Sequence, residues 1–153
     1  MHIPLVITRV FQAPREVVFQ YWLDPEKTKK WWWPKIFTCP VAKIDFRVGG
    51  KYLLAMQGPD GNRFWSTWTY REIDAPKKIV CTDSFSDENG NIISAESIGM
   101  VWDWPLELIV TTLFEDENWK TRMTLTHEWV PPEIIADCIA SWNEQFDKLD
   151  TVL

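Results

Sequence analysis

The carboxy-terminal segment repeats its apolar residues at intervals of four and three, whereas most of the chain before it repeats at intervals of two. Ile135, Ile139, Trp142, Phe146, Leu149 and Leu153 form one apolar stripe, which predicts a helix of about 20 residues and ~30 Å. Pro131 and Pro132 stand at its start, where proline is tolerated. Upstream, alternation predicts strands over 3–11, 41–46, 51–57, 64–73, 78–85, 106–115 and 119–129. A run of antiparallel strands has a face to cover, and only the terminal helix is long enough to cover it. The expected architecture is therefore α+β, a curved antiparallel sheet wrapped around a long C-terminal helix with a cleft between them.

Two short helices interrupt the strands early. Ala13-Pro14 opens one, with Val18, Tyr21 and Trp22 at helical spacing. Asp24-Pro25 reads as a cap followed by a first helical position, so a second runs to about Lys30. Trp31-Trp32-Trp33-Pro34 ends it, because the residue before proline avoids the α region. Pro59-Asp60-Gly61-Asn62, Asn89-Gly90 and Asp116-Glu117-Asn118 mark turns. Residues 92–104 lack a clean period and read either as a short strand or as a loop over the cleft. No repeat, low-complexity stretch or linker divides the chain, so residues 1–153 are expected to form a single domain.

The net charge of −6 argues against a nucleic-acid partner, whose phosphates need Lys and Arg. The sequence contains no run of ~18 apolar residues that would span a membrane. Residues 1–10 alternate like a strand and lack the features of a signal peptide; a cytoplasmic location is expected. Cys39, Cys81 and Cys138 are widely spaced and fit neither a disulfide framework nor a zinc site, so buried, reduced thiols are expected. No metal or cofactor motif is present. The abnormal number is 11 Trp, more than a core of this size requires.

Alternation places Tyr52, Leu54 and Met56 on one face, and Trp68 and Tyr70 on one face of the next strand. Met123, Leu125, His127 and Trp129 share a face of the last strand. With Trp32, Phe85, Trp142 and Phe146, these residues suggest an aromatic-walled cavity for a small apolar molecule. The competing reading is that they fill the core, as helical stripes usually do. His127 offers acid–base chemistry, and the plain alternative is a satisfied histidine near a strand end. Asp83 sits in an apolar strand beside Cys81 and Phe85. A carboxylate buried there must be paired or protonated; it could pair with Arg47, Arg63 or Arg71, or anchor the polar end of a ligand, and Asp45 is a candidate of the same kind. Trp102-Asp103-Trp104 reads as a loop with exposed aromatics, either a lid or a subunit contact. Exposed tryptophan on a small domain is compatible with a homodimer. The acidic run Glu115 to Glu117 and the helix residues Asp137, Glu144, Asp147 and Asp150 read as solvated faces.

Several segments in order resemble a known family. They are Ala13-Pro14 with Val18-Phe19, Asp24-Pro25 leading to Trp31-Trp32, Asp45 to Tyr52, Gly58 to Asn62, Ile79 to Asn91, Phe114-Glu115-Asp116, Thr121 to Thr126, Trp142-Asn143-Glu144 and Asp147-Lys148-Leu149. Together they resemble the family named after the activator of heat-shock-protein-90 ATPase, within the START-like, polyketide-cyclase superfamily. The resemblance implies a helix-grip (Bet v 1-like) fold with a deep pocket for hydrophobic molecules, and supplies no catalytic motif. Two positions depart from the family pattern: Trp33 and Trp68 stand where glycine is usual, which should alter the cavity or its rim. Three functions follow as expectations: binding of a small hydrophobic or aromatic ligand; a cyclase, dehydratase or hydrolase using His127 or Asp83 in the same pocket; and a chaperone-regulating interaction protein.

Overall fold

The structure, a computed structural model, describes residues 3–100 and 103–153; Trp102, noted above, lies outside the described residues. Seven antiparallel strands form one sheet: β1 (Leu5–Phe11), β2 (Ala42–Ile44), β3 (Lys51–Gln57), β4 (Arg63–Asp74), β5 (Lys78–Ser86), β6 (Leu108–Glu117) and β7 (Lys120–Glu128). Their order is β1-β7-β6-β5-β4-β3-β2, so β1 and β2 occupy opposite edges. The chain crosses between those edges through α1 (Arg15–Leu23) and α2 (Pro25–Thr28), and it ends in α3 (Ile135–Val152).

Local chemistry accounts for these elements. Asp24 caps α2, its side chain accepting from the Glu26 N–H at 3.0 Å, and Pro25 fills the first helical position. In α3, Trp142, Phe146 and Leu149 are buried, whereas Ile135 and Ile139 are half-buried and pack against the core. Arg9 of β1 holds one flank of α3 by pairing with Asp147 and Asp150 and donating to the Asn143 carbonyl. Tyr21 Oη donates to the Val152 carbonyl at 2.9 Å and joins α1 to the end of α3. Asp147 and Asp150 lie on the exposed face expected of them and pair there with Arg9.

One expectation about turns needs correction. The β6–β7 hairpin closes at Asn118-Trp119, one residue later than expected, because Glu117 pairs with Lys120. Both loop residues have positive φ, 51° and 70°, as the two-residue turn that matches strand twist requires. Asn118 suits such a backbone; Trp119 occupies a position glycine usually takes and is 84% exposed. The described residues of the segment 92–104 contribute no strand beyond an isolated bridge between Ile92 and Ser86, in keeping with the loop alternative. They form a 3₁₀ turn at Ala95–Ile98, capped by Ser94.

The core is aromatic at one end. Trp22 and Trp31 lie 4.9 Å apart between ring centroids, Trp31 and Trp32 4.7 Å, and Phe11 meets Phe146 edge-on at 6.0 Å. Edge-on and tilted contacts are the favourable arrangements of aromatic rings. This packing fills the space beneath the C-terminal half of α3 and leaves the N-terminal half over a cavity.

Candidate functional site

A cavity of about 340 Å³ lies between the sheet and the N-terminal half of α3, near the lower end of the range for small-molecule sites. The helix contributes Asp137, Cys138, Ser141, Trp142 and Gln145, spaced by one, three and four residues along a single face. The sheet contributes Met56 from β3, Ser66 and Trp68 from β4, Asp83 and Phe85 from β5, Leu108 from β6 and His127 from β7. The loop after α2 adds Trp32, Trp33, Pro34 and Phe37, and residues 99–105 add Met100 and Trp104.

Trp32, Met56, Trp68, Phe85, His127 and Trp142 thus border the cavity, whereas Tyr52, Leu54 and Phe146 lie in the packed core. Tyr52 stacks on Trp68 at 5.2 Å and 17°, so it buttresses the wall from behind. Phe146 stacks on Trp142 at 5.7 Å in the same way. Phe146 thus lies in the packed core, and Trp142 belongs to the core and also borders the cavity. Trp129 departs from the shared face: φ is 71° there and the ring is half-exposed, since the alternation ends with β7. Trp104 is half-buried and meets Phe85 edge-on at 5.4 Å, so it covers the cavity instead of standing exposed.

The acid–base candidates meet. His127 Nε2 lies 3.2 Å from Asp83 Oδ2, although the N–H does not point squarely at that oxygen, which makes this a contact and not an aligned hydrogen bond. The indole N–H of Trp142 donates to His127 Nδ1 at 3.2 Å, which assigns the ring proton to Nε2. Nδ1 is thus engaged by Trp142, while Nε2 lies against Asp83 without an aligned hydrogen bond. None of the expected arginines pairs with Asp83: Arg47 binds Asp45, Arg63 binds Gln57 and Arg71 lies near Glu107. Asp45, half-exposed in its pair with Arg47, does not border the cavity.

The rim loop is held by α3. Gln145 Oε1 accepts from the Trp33 N–H at 3.1 Å and Glu144 Oε1 from the Lys35 N–H at 3.1 Å. Lys148 Nζ donates to the carbonyls of Trp33, Pro34 and Phe37 at 2.9, 2.9 and 2.7 Å. Burial lowers the Lys148 pKa from its ordinary value. Trp33 has φ of 81°, a left-handed backbone that explains why glycine suits this position. Its indole N–H donates to the Ala55 carbonyl at 2.8 Å. At Trp68 the indole N–H donates to Ser66 Oγ at 2.8 Å. The indole N–H groups of Trp32 and Trp104, in contrast, are buried without a hydrogen-bond partner. No cluster of three His, Cys, Asp or Glu placed to hold a metal occurs among the described residues.

Residues 12–153 match the profile of the activator of Hsp90 ATPase homolog 1-like proteins. The chain belongs to this family. Solved structures with the same fold include proteins from Mycobacterium smegmatis (25% identity, TM-score 0.79, covering 98% of this chain and 90% of that one) and Chromobacterium violaceum (25%, 0.81, 97% and 95%). A third, from Arthrobacter aurescens, is 26% identical with a TM-score of 0.81, covering 97% and 84%. No functionally curated protein matches the chain. Seven antiparallel strands around a long terminal helix, with short helices after β1, make the helix-grip fold of this family, an architecture compatible with ligand binding. No helix among the described residues is long and apolar enough to cross a membrane.

Proposed function

We propose that this protein binds a small, largely apolar, ring-bearing molecule in the cavity between the sheet and the N-terminal half of α3. The observation that supports this most strongly is the composition of the wall. Five tryptophans border a space of about 340 Å³, and only a few polar groups, led by Asp83, are placed to orient a guest. A chain filling its core for stability alone gains nothing from leaving such a space, because interiors normally pack without voids. Native mass spectrometry of freshly purified protein, with extraction of any bound molecule, tests the reading. A defined small molecule, or saturable change of tryptophan emission across a panel of aromatic compounds, is expected; a protein that stays empty and silent across the panel rejects it.

The meeting of His127 with Asp83 favours a second reading, an enzyme of the cyclase, dehydratase or hydrolase kind. It would need a water or substrate group at Asp83, since Nδ1 is held by Trp142 and Nε2 faces Asp83. Turnover of the extracted molecule, lost in both His127→Gln and Asp83→Asn, would favour that reading over simple binding.

A further inference from the structure

Among the described residues, the carboxylates and basic side chains at the cavity are of one sign: Asp83 and Asp137 border it, and no Lys or Arg does. The neighbouring imidazole does not cancel the charge on Asp83. Nδ1 accepts a hydrogen bond from Trp142, so it carries a lone pair and the ring is the uncharged Nε2–H tautomer. Lys148, which clamps the rim, spends its N–H groups on three carbonyls.

The aromatic part of the wall has the same preference. Trp32, Trp68, Trp104 and Trp142 border the cavity, and the faces of indole rings are electron-rich. Trp68 is the direct cross-strand partner of Asp83, which puts an indole and a carboxylate side by side on one wall. Electron-rich rings beside a carboxylate favour a cation with an apolar surface. They disfavour a fatty acid or any other anion, whose carboxylate would face Asp83 and Asp137 with no counter-charge. The net charge of −6 adds a long-range attraction of the same sign.

We infer that the guest is a small organic cation, an ammonium joined to an aromatic or compact aliphatic body, with the ammonium beside Asp83 and the body among the indoles. This rests on the cavity-binding reading above and names the ligand class. The unpartnered indole N–H groups of Trp32 and Trp104 add room for an oxygen acceptor on the same guest.

The experiment is isothermal titration calorimetry with three probes of similar size and different charge: 2-phenylethylammonium, 2-phenylethanol and phenylacetate. The ammonium should bind about tenfold more tightly than the alcohol, with the carboxylate weakest. Asp83→Asn, nearly isosteric, should remove most of that advantage and leave the alcohol unchanged. Asp137→Asn, on exposed helix surface at the mouth, provides a second reduction should Asp83→Asn fail to fold. An alcohol or carboxylate that binds as tightly as the ammonium overturns the cation assignment and leaves the cavity reading standing. So does a folded Asp83→Asn that keeps the full preference. Silence from all three probes, with tryptophan emission unchanged, rejects both.

Discussion

Trp33 shows how one residue can carry both strain and function. A non-glycine side chain at φ of 81° costs about 1–2 kcal/mol, and its N–H, carbonyl and indole N–H are all employed in holding the rim. Trp33→Gly and Trp33→Ala both remove the ring, but only glycine removes the strain. Trp33→Gly should therefore be the more stable of the two by about 1 kcal/mol, the reverse of the usual order. Urea melts of the pair decide this; an alanine variant at least as stable as glycine would mean the left-handed backbone is not held there. The thiols give a second test. Burial pushes Cys39 and Cys138 up to about 11 and Cys81 up to about 12. The reactive thiolate is then only on the order of one part in a thousand or less at pH 8. Iodoacetamide at that pH should leave all three unmodified in native protein and label all three after unfolding. Rapid native labelling of Cys138, the half-buried one on the cavity wall, would show that this wall opens to solvent.

The rim loop and α3 act as a pair, and their connection is polar. Replacing Lys148 by Met keeps the stem and removes a head that serves three carbonyls. A loss of about 1–2 kcal/mol is expected, since partly buried acceptors are left without this donor, with faster hydrogen exchange confined mainly to residues 33–39. Uniformly faster exchange instead would mean that Lys148 supports the whole fold. This clamp is illegible in the sequence, where Glu144 reads as solvated surface, Lys148 enters only as part of a family segment and Gln145 carries no signal. Periodicity reports which face is apolar, and polar side chains that reach a loop's backbone leave no trace in it. The strands and α3 were legible for the converse reason: each buries a face with a fixed repeat. The candidate site lay between these cases. Alternation put Asp83 and His127 on inward faces, but their meeting depends on register. Asp83 stands opposite Leu108 and His127 opposite Val110, so the two approach diagonally across β6. The sequence offered arginines to Asp83 because charge is visible in it and cross-strand register is not. Trp119 shows the limit for turns, since nothing in its type marks it for a left-handed position in a two-residue loop.

The protein is solid at one end and hollow at the other, and Trp68 stands at the boundary. Its ring stacks on Tyr52, meets Trp32 edge-on at 5.5 Å and forms part of the cavity wall. Removing it joins the volume of an indole to the existing cavity. Trp68→Ala should lose about 3–5 kcal/mol when empty, a large share of the stability of a domain of this kind. Whether that energy is recoverable depends on what the cavity is. If the space accepts guests, a ligand at a hundred times its dissociation constant adds about 2.7 kcal/mol to whichever protein binds it. The variant should then prefer guests one ring larger than those of the wild type, because the missing indole leaves room for a ring in the same position. Thermal melts with a homologous series from one-ring to two-ring ammonium compounds read this directly. The wild type should be stabilised most by the smaller members and Trp68→Ala by the larger. A variant whose melting point no member raises would indicate that the aromatic core has collapsed into the gap.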